Sequence, residues 1–277
     1  MNRRTLLLAG LALAFAGAPA SAQRFQPTRF SVELVGRGPD VILIPGLTSG
    51  REVWRATAAA VPGYRYHLIQ VSGFAGEAAR GNRAGPVVAP LADELVRYIA
   101  DRHLARPAII GHSMGGTLAM MIAARRPDMV GRLMVVDMYP QPAGLLGGTA
   151  QSFSPFANIM ASPGGRRLFA NLMGAFSPPE VASRSDADVV GRAVHDLAVT
   201  DLTGELPRIR APFTIVYASP DPQARAALDR SFVRAYAAAN RPRLVRIDGS
   251  GHMVMLDQPT RFRAVVASFL SAAAPPR

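Results

Sequence analysis

Gly111-His112-Ser113-Met114-Gly115 places one serine between two glycines in a G-x-S-x-G pattern. The pattern alone is weak, but its surroundings give it meaning. The buried-strand run Pro107-Ala108-Ile109-Ile110 precedes it, and a helical stretch of small and apolar residues, Met114 to Arg125, follows it. A serine on a sharp strand-to-helix turn lifts its hydroxyl above the end of a sheet. The two glycines remove side chains that would collide across that turn. The following helix also aims its free N–H groups at the site. The chemistry this predicts is nucleophilic attack by Ser113 on a carbonyl. The structural alternative is a glycine-rich turn that merely packs closely.

A serine hydroxyl is a poor nucleophile at neutral pH and needs a base. His252 is the candidate. It sits in Gly249-Ser250-Gly251-His252-Met253, after the predicted strand Leu244–Ile247 and before the last helix. The other four histidines read differently. His67 lies within a strand and His103 closes a helix, which are structural positions. His112 flanks the serine and His195 lies in an insertion, where either could line a pocket.

A carboxylate must then hold the imidazole in one tautomer and stabilise its charged form. Asp221 follows the strand Phe213–Tyr217 and completes the order Ser113, Asp221, His252, so it is the favoured acid. Asp137 competes, because its strand Leu133–Val136 ends beside the serine turn. Asp248 is the third possibility, though its place next to the loop suits support of that loop. For the developing oxyanion, the backbone N–H of Met114 supplies one donor and that of Leu47, in Pro45-Gly46-Leu47, supplies the other.

Those side chains need a sheet to gather them. From residue 30 the chain alternates strand and helix. Phe30–Val35 reads as an edge strand, Val41–Ile44 as a strand buried on both faces, and Tyr66–Val71 as another strand. Helices are predicted at Glu52–Val61, Val87–His103, Ala224–Ala239 and Pro259–Leu270. Such alternation predicts an α/β fold with a mostly parallel, doubly wound sheet. The rhythm breaks at about residues 140–210, a stretch rich in Pro, Gly and Ser with helical patches at Arg166–Met173 and Ala187–Leu197. It reads as an insertion over one end of the sheet.

On these pieces the chain resembles the α/β-hydrolase superfamily, from about Phe30 to Leu270. The matching residues are Leu43-Ile44-Pro45-Gly46-Leu47 with Trp54 downstream, Gly111 to Gly116, Val216 to Asp221, and Gly251-His252. The chain has Pro45 where relatives of this type usually have histidine, and Ser219 where they often have glycine two residues before the acid. A serine at 113 sets it apart from the dehalogenase and epoxide-hydrolase branches, which use aspartate there. The resemblance implies that residues 140–210 form a helical cap. Its Phe153, Phe156, Met160, Leu168, Phe169, Leu172, Met173 and Phe176 mostly pack it down, and a few face an apolar substrate.

The composition agrees. The 277 residues are 49% hydrophobic and 18% charged, an ordinary globular mixture that excludes wholesale disorder. There is no cysteine, so disulfides, thiolate metal sites and a cysteine nucleophile are excluded. The formal net charge is +12 and every basic residue is arginine. The arginines are scattered, which predicts a solvated basic surface rather than a nucleic-acid site. Residues 1–22 read as a signal peptide: Arg3-Arg4, an uncharged apolar run from Leu6 to Ala18, and Ala20-Ser21-Ala22 as the cleavage signal. A loose twin-arginine likeness accompanies it.

The sequence therefore predicts a hydrolase domain over 23–277, periplasmic or secreted. It would cleave carboxylic esters of small or medium acyl groups with no metal or cofactor. Aminopeptidase, amidase or lactonase chemistry from the same triad remains open, a recognition carboxylate at Glu180, Asp186 or Asp188 being the feature that would favour a peptidase. A non-catalytic binding protein on this scaffold remains open as well.

Overall fold

The computed structural model describes residues 25–146, 148–149, 151–152 and 184–272. The expected signal segment, the patch at 166–173, the cap aromatics named above and Glu180 all lie outside the described residues.

The sheet forms as the alternation dictates. Its strands are β1 (Phe30–Gly36), β2 (Asp40–Ile44), β3 (Arg65–Val71), β4 (Ala108–His112), β5 (Arg132–Val136), β6 (Phe213–Ser219) and β7 (Arg243–Asp248). They lie in the order β1-β3-β2-β4-β5-β6-β7. Only β1 runs antiparallel, pairing Phe30 with Val71 at one edge; the other neighbours are parallel.

The helices among the described residues are α1 (Glu52–Ala60), α2 (Val88–Asp101), α3 (Met114–Arg125), α4 (Ala187–Val199), α5 (Arg225–Ala235), α6 (Val254–Asp257) and α7 (Pro259–Ser271). The four-residue α6 was not legible in the sequence. α5 ends four residues short of the expected Ala239, in a turn where the N–H groups of Ala237 and Ala239 bond back to Arg234 and Tyr236.

Strand side chains alternate between two cores, as the two-residue period of a pleated strand requires. Ile42, Ile44, Ile109, Leu133, Val135 and Ile215 join α2 and α3 on one face. Val41, Leu43, Ile110, Met134, Val136 and Val216 join Trp54, Phe262 and Val266 on the other. A sheet buried on both faces needs continuous apolar strands, which is why β2, β4 and β5 read as unbroken runs.

Within the interrupted region, α4 is docked rather than free. The Asp186 side chain caps it, accepting from the N–H groups of Asp188 and Val189. Asp196 reaches from α4 to accept the N–H groups of Val87 and Val88 at the start of α2. The carboxylates of Asp186 and Asp196 are thus occupied with helix ends. Among the described residues, no helix is long and apolar enough to cross a membrane.

Candidate active site

The turn between β4 and α3 has the conformation its glycines demand. Ser113 sits at φ 53°, ψ −123°, a backbone region that costs a non-glycine residue energy and is held only by its surroundings. Those surroundings are backbone. A Cβ on Gly111 would stand 2.1 Å from the Gly115 carbonyl oxygen, and one on Gly115 would stand 2.3 Å from that of Ile44. The Ser113 N–H donates to the Val136 carbonyl at 2.9 Å, which ties the turn to the end of β5. Ser113 itself is 9% exposed.

The residue after Val136 is Asp137, at φ 51° and buried. Its N–H donates to Val216, and its Oδ1 accepts the N–H of Ala218 at 2.9 Å. Its Oδ2 lies 2.7 Å from His252 Nδ1. The structure therefore gives the imidazole of His252 to Asp137, which corrects the preference for Asp221. Asp221 is exposed two residues beyond β6, and its Oδ1 accepts the N–H of Gln223. Asp248 is engaged by Arg246 and Arg225, whose positive charge holds its carboxyl below the usual range. The physical reason is reach. Asp137 leaves its strand directly at the rim, whereas Pro220 carries Asp221 onward into a surface turn.

The His252 loop is pinned at several points. Gly249 N–H donates to Ser219, Gln258 donates to the Gly249 carbonyl, and Gly251 N–H donates to Asp257. His112 Nε2 lies 2.8 Å from the His252 carbonyl oxygen, and the two rings sit 4.6 Å apart. Burial, and then the neighbouring His252, push the His112 imidazole well below its ordinary range, so it is neutral.

The Pro45-Gly46-Leu47 loop lies against the serine: a Cβ on Gly46 would stand 3.0 Å from Ser113 Cβ. Met114 is fully buried at the first turn of α3, and Leu47 is partly buried on the loop. Thr48 takes φ 60°, and the Ser49 N–H closes a turn onto Gly46. The remaining histidines are elsewhere. His67 is buried between Asp40 and the Tyr98 hydroxyl, and His195 lies near Asp196. Among the described residues, no group of three His, Asp or Glu side chains could hold a metal ion.

The arrangement pairs a carboxylate with an imidazole at one rim of the sheet. A serine in an elbow conformation and a close-packed glycine loop stand beside them. With Nδ1–H donated to Asp137, the second ring nitrogen of His252 carries a lone pair that can accept a proton.

Comparisons with known proteins agree with this fold. The model of a family described as the alpha/beta hydrolase family matches residues 41–265. A pimeloyl-[acyl-carrier protein] methyl ester esterase from Aromatoleum aromaticum is 26% identical over 247 residues, covering 80% of this chain and 94% of that protein. An uncharacterized protein of Mycobacterium tuberculosis is 24% identical, covering 89% of this chain and 80% of its own length. The crystal structure of the enol-lactonase from Burkholderia xenovorans LB400 superposes with a TM-score of 0.69 at 20% identity, covering 88% of this chain and 97% of that one.

Proposed function

We propose a specific chemistry for this chain, which belongs to the alpha/beta hydrolase family: it is a serine hydrolase that cleaves carboxylic esters of small or medium acyl groups through an acyl-enzyme. Ser113 Oγ attacks the ester carbonyl while His252 takes its proton. Asp137 fixes the ring through Nδ1–H and stabilises the imidazolium. The backbone N–H groups of Leu47 and Met114 hold the oxyanion. His252 then protonates the leaving alcohol, which departs as the tetrahedral intermediate collapses. In the second half it removes a proton from water, which attacks the acyl-serine; the second tetrahedral intermediate then collapses, His252 returns the proton to Ser113 Oγ, and the acid is freed.

The observation that carries this reading is the 2.7 Å pairing of His252 with Asp137 at the rim where Ser113 adopts positive φ. The esterase relative supports an ester over an amide. The basic start, apolar run and Ala20-Ser21-Ala22 support placement in the periplasm or outside the cell.

The test is turnover of p-nitrophenyl esters from acetate to octanoate, with fluorophosphonate labelling of Ser113. Wild type should hydrolyse the shorter esters and take the label. Ser113→Ala should lose about 10⁶ in kcat, the loss expected when a triad acts as a unit. Undiminished turnover by that variant refutes the assignment.

A further inference from the structure

His112 is buried to 1% exposure, yet it does not sit among apolar side chains as a passive filler. Its Nε2 lies 2.8 Å from the His252 carbonyl oxygen, 140 residues away. A carbonyl only accepts, so Nε2 carries the proton and Nδ1 is left as an acceptor. Nδ1 is buried with no hydrogen-bond partner among the described residues. It faces the oxyanion loop: a Cβ placed on Gly46 would stand 2.8 Å from it. On its other side the ring lies 4.6 Å from the His252 ring, tilted by 50°. One imidazole thus touches both the loop that carries the base and the loop that carries an oxyanion donor.

The base needs such a support. Gly249-Ser250-Gly251 offers little side chain to pack. The Ser250 hydroxyl donates to the carbonyl of its neighbour Gly251. The bonds at Gly249 and Gly251 fix the chain before His252, and the Met253 carbonyl accepts the N–H groups of Leu256 and Asp257 just after it. Asp137 holds the ring, and His112 holds the main chain at that residue.

We propose that His112 is a positioning residue for this reaction. Its Nε2–H anchors the His252 backbone, and its ring sets the separation between the base and the Gly46 loop. The proposal rests on the hydrolase reading above. A neutral ring suits the task, because a charged one would oppose the imidazolium that His252 becomes during turnover.

The test compares His112→Phe, which keeps a planar ring and loses the donor, with His112→Gln, whose side-chain amide restores a donor near the place of Nε2. Misplacement of a base by about 1 Å costs on the order of 10²-fold in rate. His112→Phe should therefore lose roughly that in kcat on p-nitrophenyl butyrate, with KM within threefold. His112→Gln should recover most of it. Hydrogen–deuterium exchange of peptides spanning Gly249–Met253 should quicken in His112→Phe and match wild type in His112→Gln, and melting curves show whether each variant is folded.

The proposal is overturned if His112→Phe keeps wild-type kcat and loop exchange. It is also overturned if His112→Gln falls as far as His112→Phe, since the donor would then be irrelevant. If wild type neither takes a fluorophosphonate label nor cleaves any ester, the hydrolase reading fails. The exchange comparison still decides whether His112 anchors the loop.

Discussion

His252 Nδ1 and Asp137 Oδ2 lie 2.7 Å apart, across 115 residues of sequence. The second oxygen of the same carboxylate accepts the N–H of Ala218, so the acid is braced from the strand next to its own. Removing its charge while keeping its shape should leave the imidazole without its orienting acceptor. Asp137→Asn should lower kcat by about 10⁴, as loss of the carboxylate does in triads of this kind. Asp221→Asn should stay within about threefold, because an exposed turn carboxylate has only a surface-scale effect. Steady-state kinetics of both variants on one p-nitrophenyl ester decide the point; equal losses would sink the assignment.

Both aspartates follow apolar strands that are neighbours in one parallel sheet, and so both were visible in the sequence. What separates them is where the chain turns after each strand. Asp137 follows Val136 with no spacer and takes φ 51°, which turns its side chain along the rim. Asp221 stands beyond Pro220, and its carboxylate closes a local turn on Gln223. Spacing cannot weigh those two outcomes, since both obey the same strand-end pattern. The parallel sheet, the strained turn at Ser113 and a histidine at the rim were legible because unbroken apolar runs, paired glycines and a loop histidine each have one economical explanation. The neutral wedge at His112 was not, because its contacts with Gly46 and with the His252 carbonyl are long-range.

The glycines of the site should fail in different ways. An added methyl at Gly111 or Gly115 meets backbone oxygen at 2.1 or 2.3 Å, and backbone cannot step aside. Overpacking costs typically about 1–3 kcal/mol and more where nothing can relax. Gly115→Ala should therefore lower Tm by at least about 6 °C, at 2–4 °C per kcal/mol for a chain of this size. An added methyl at Gly46 meets His112 Nδ1 at 2.8 Å and Ser113 Cβ at 3.0 Å, which are side-chain atoms of the site. Gly46→Ala should lower Tm less than Gly115→Ala, because side chains rather than backbone must shift, and lose about 10–10² in kcat. Paired melting and kinetic measurements separate the two behaviours.

Tyr236 supports the acid from behind. It is 1% exposed, its hydroxyl donates to the Met138 carbonyl at 2.6 Å, and burial raises its phenol well above the ordinary value. Met138 is the residue after Asp137, so this bond fixes the backbone on which the acid turns. Tyr236→Phe leaves a buried carbonyl unsatisfied, at a cost of about 1–3 kcal/mol. Urea denaturation should show that loss, with a several-fold fall in kcat. The control is Tyr139→Phe, whose hydroxyl bonds the less buried Ser231 side chain. It should cost less stability.

Two neutral histidines set the response to acid. Burial is the largest cause holding His112 well below its ordinary value. It also lowers His67, outweighing the Asp40 carboxylate that pulls His67 the other way. Below about pH 6.5 the unfolded chain takes up protons that the folded chain refuses. Their contribution to stability is therefore complete above that pH and declines as pH falls through it. The lowered Asp40 carboxyl acts in a different window: its contribution is complete above its ordinary value near 3.8 and is lost below it. Unfolding free energy should thus decline from pH 7.5 to pH 5 by up to about 1.4 kcal/mol per pH unit for each histidine. His67→Gln and His112→Gln should each flatten that slope in urea titrations across the range, and the double variant should remove most of it. A wild-type curve flat between pH 7.5 and pH 5 would mean that both rings take up protons in the folded protein as readily as in the unfolded chain.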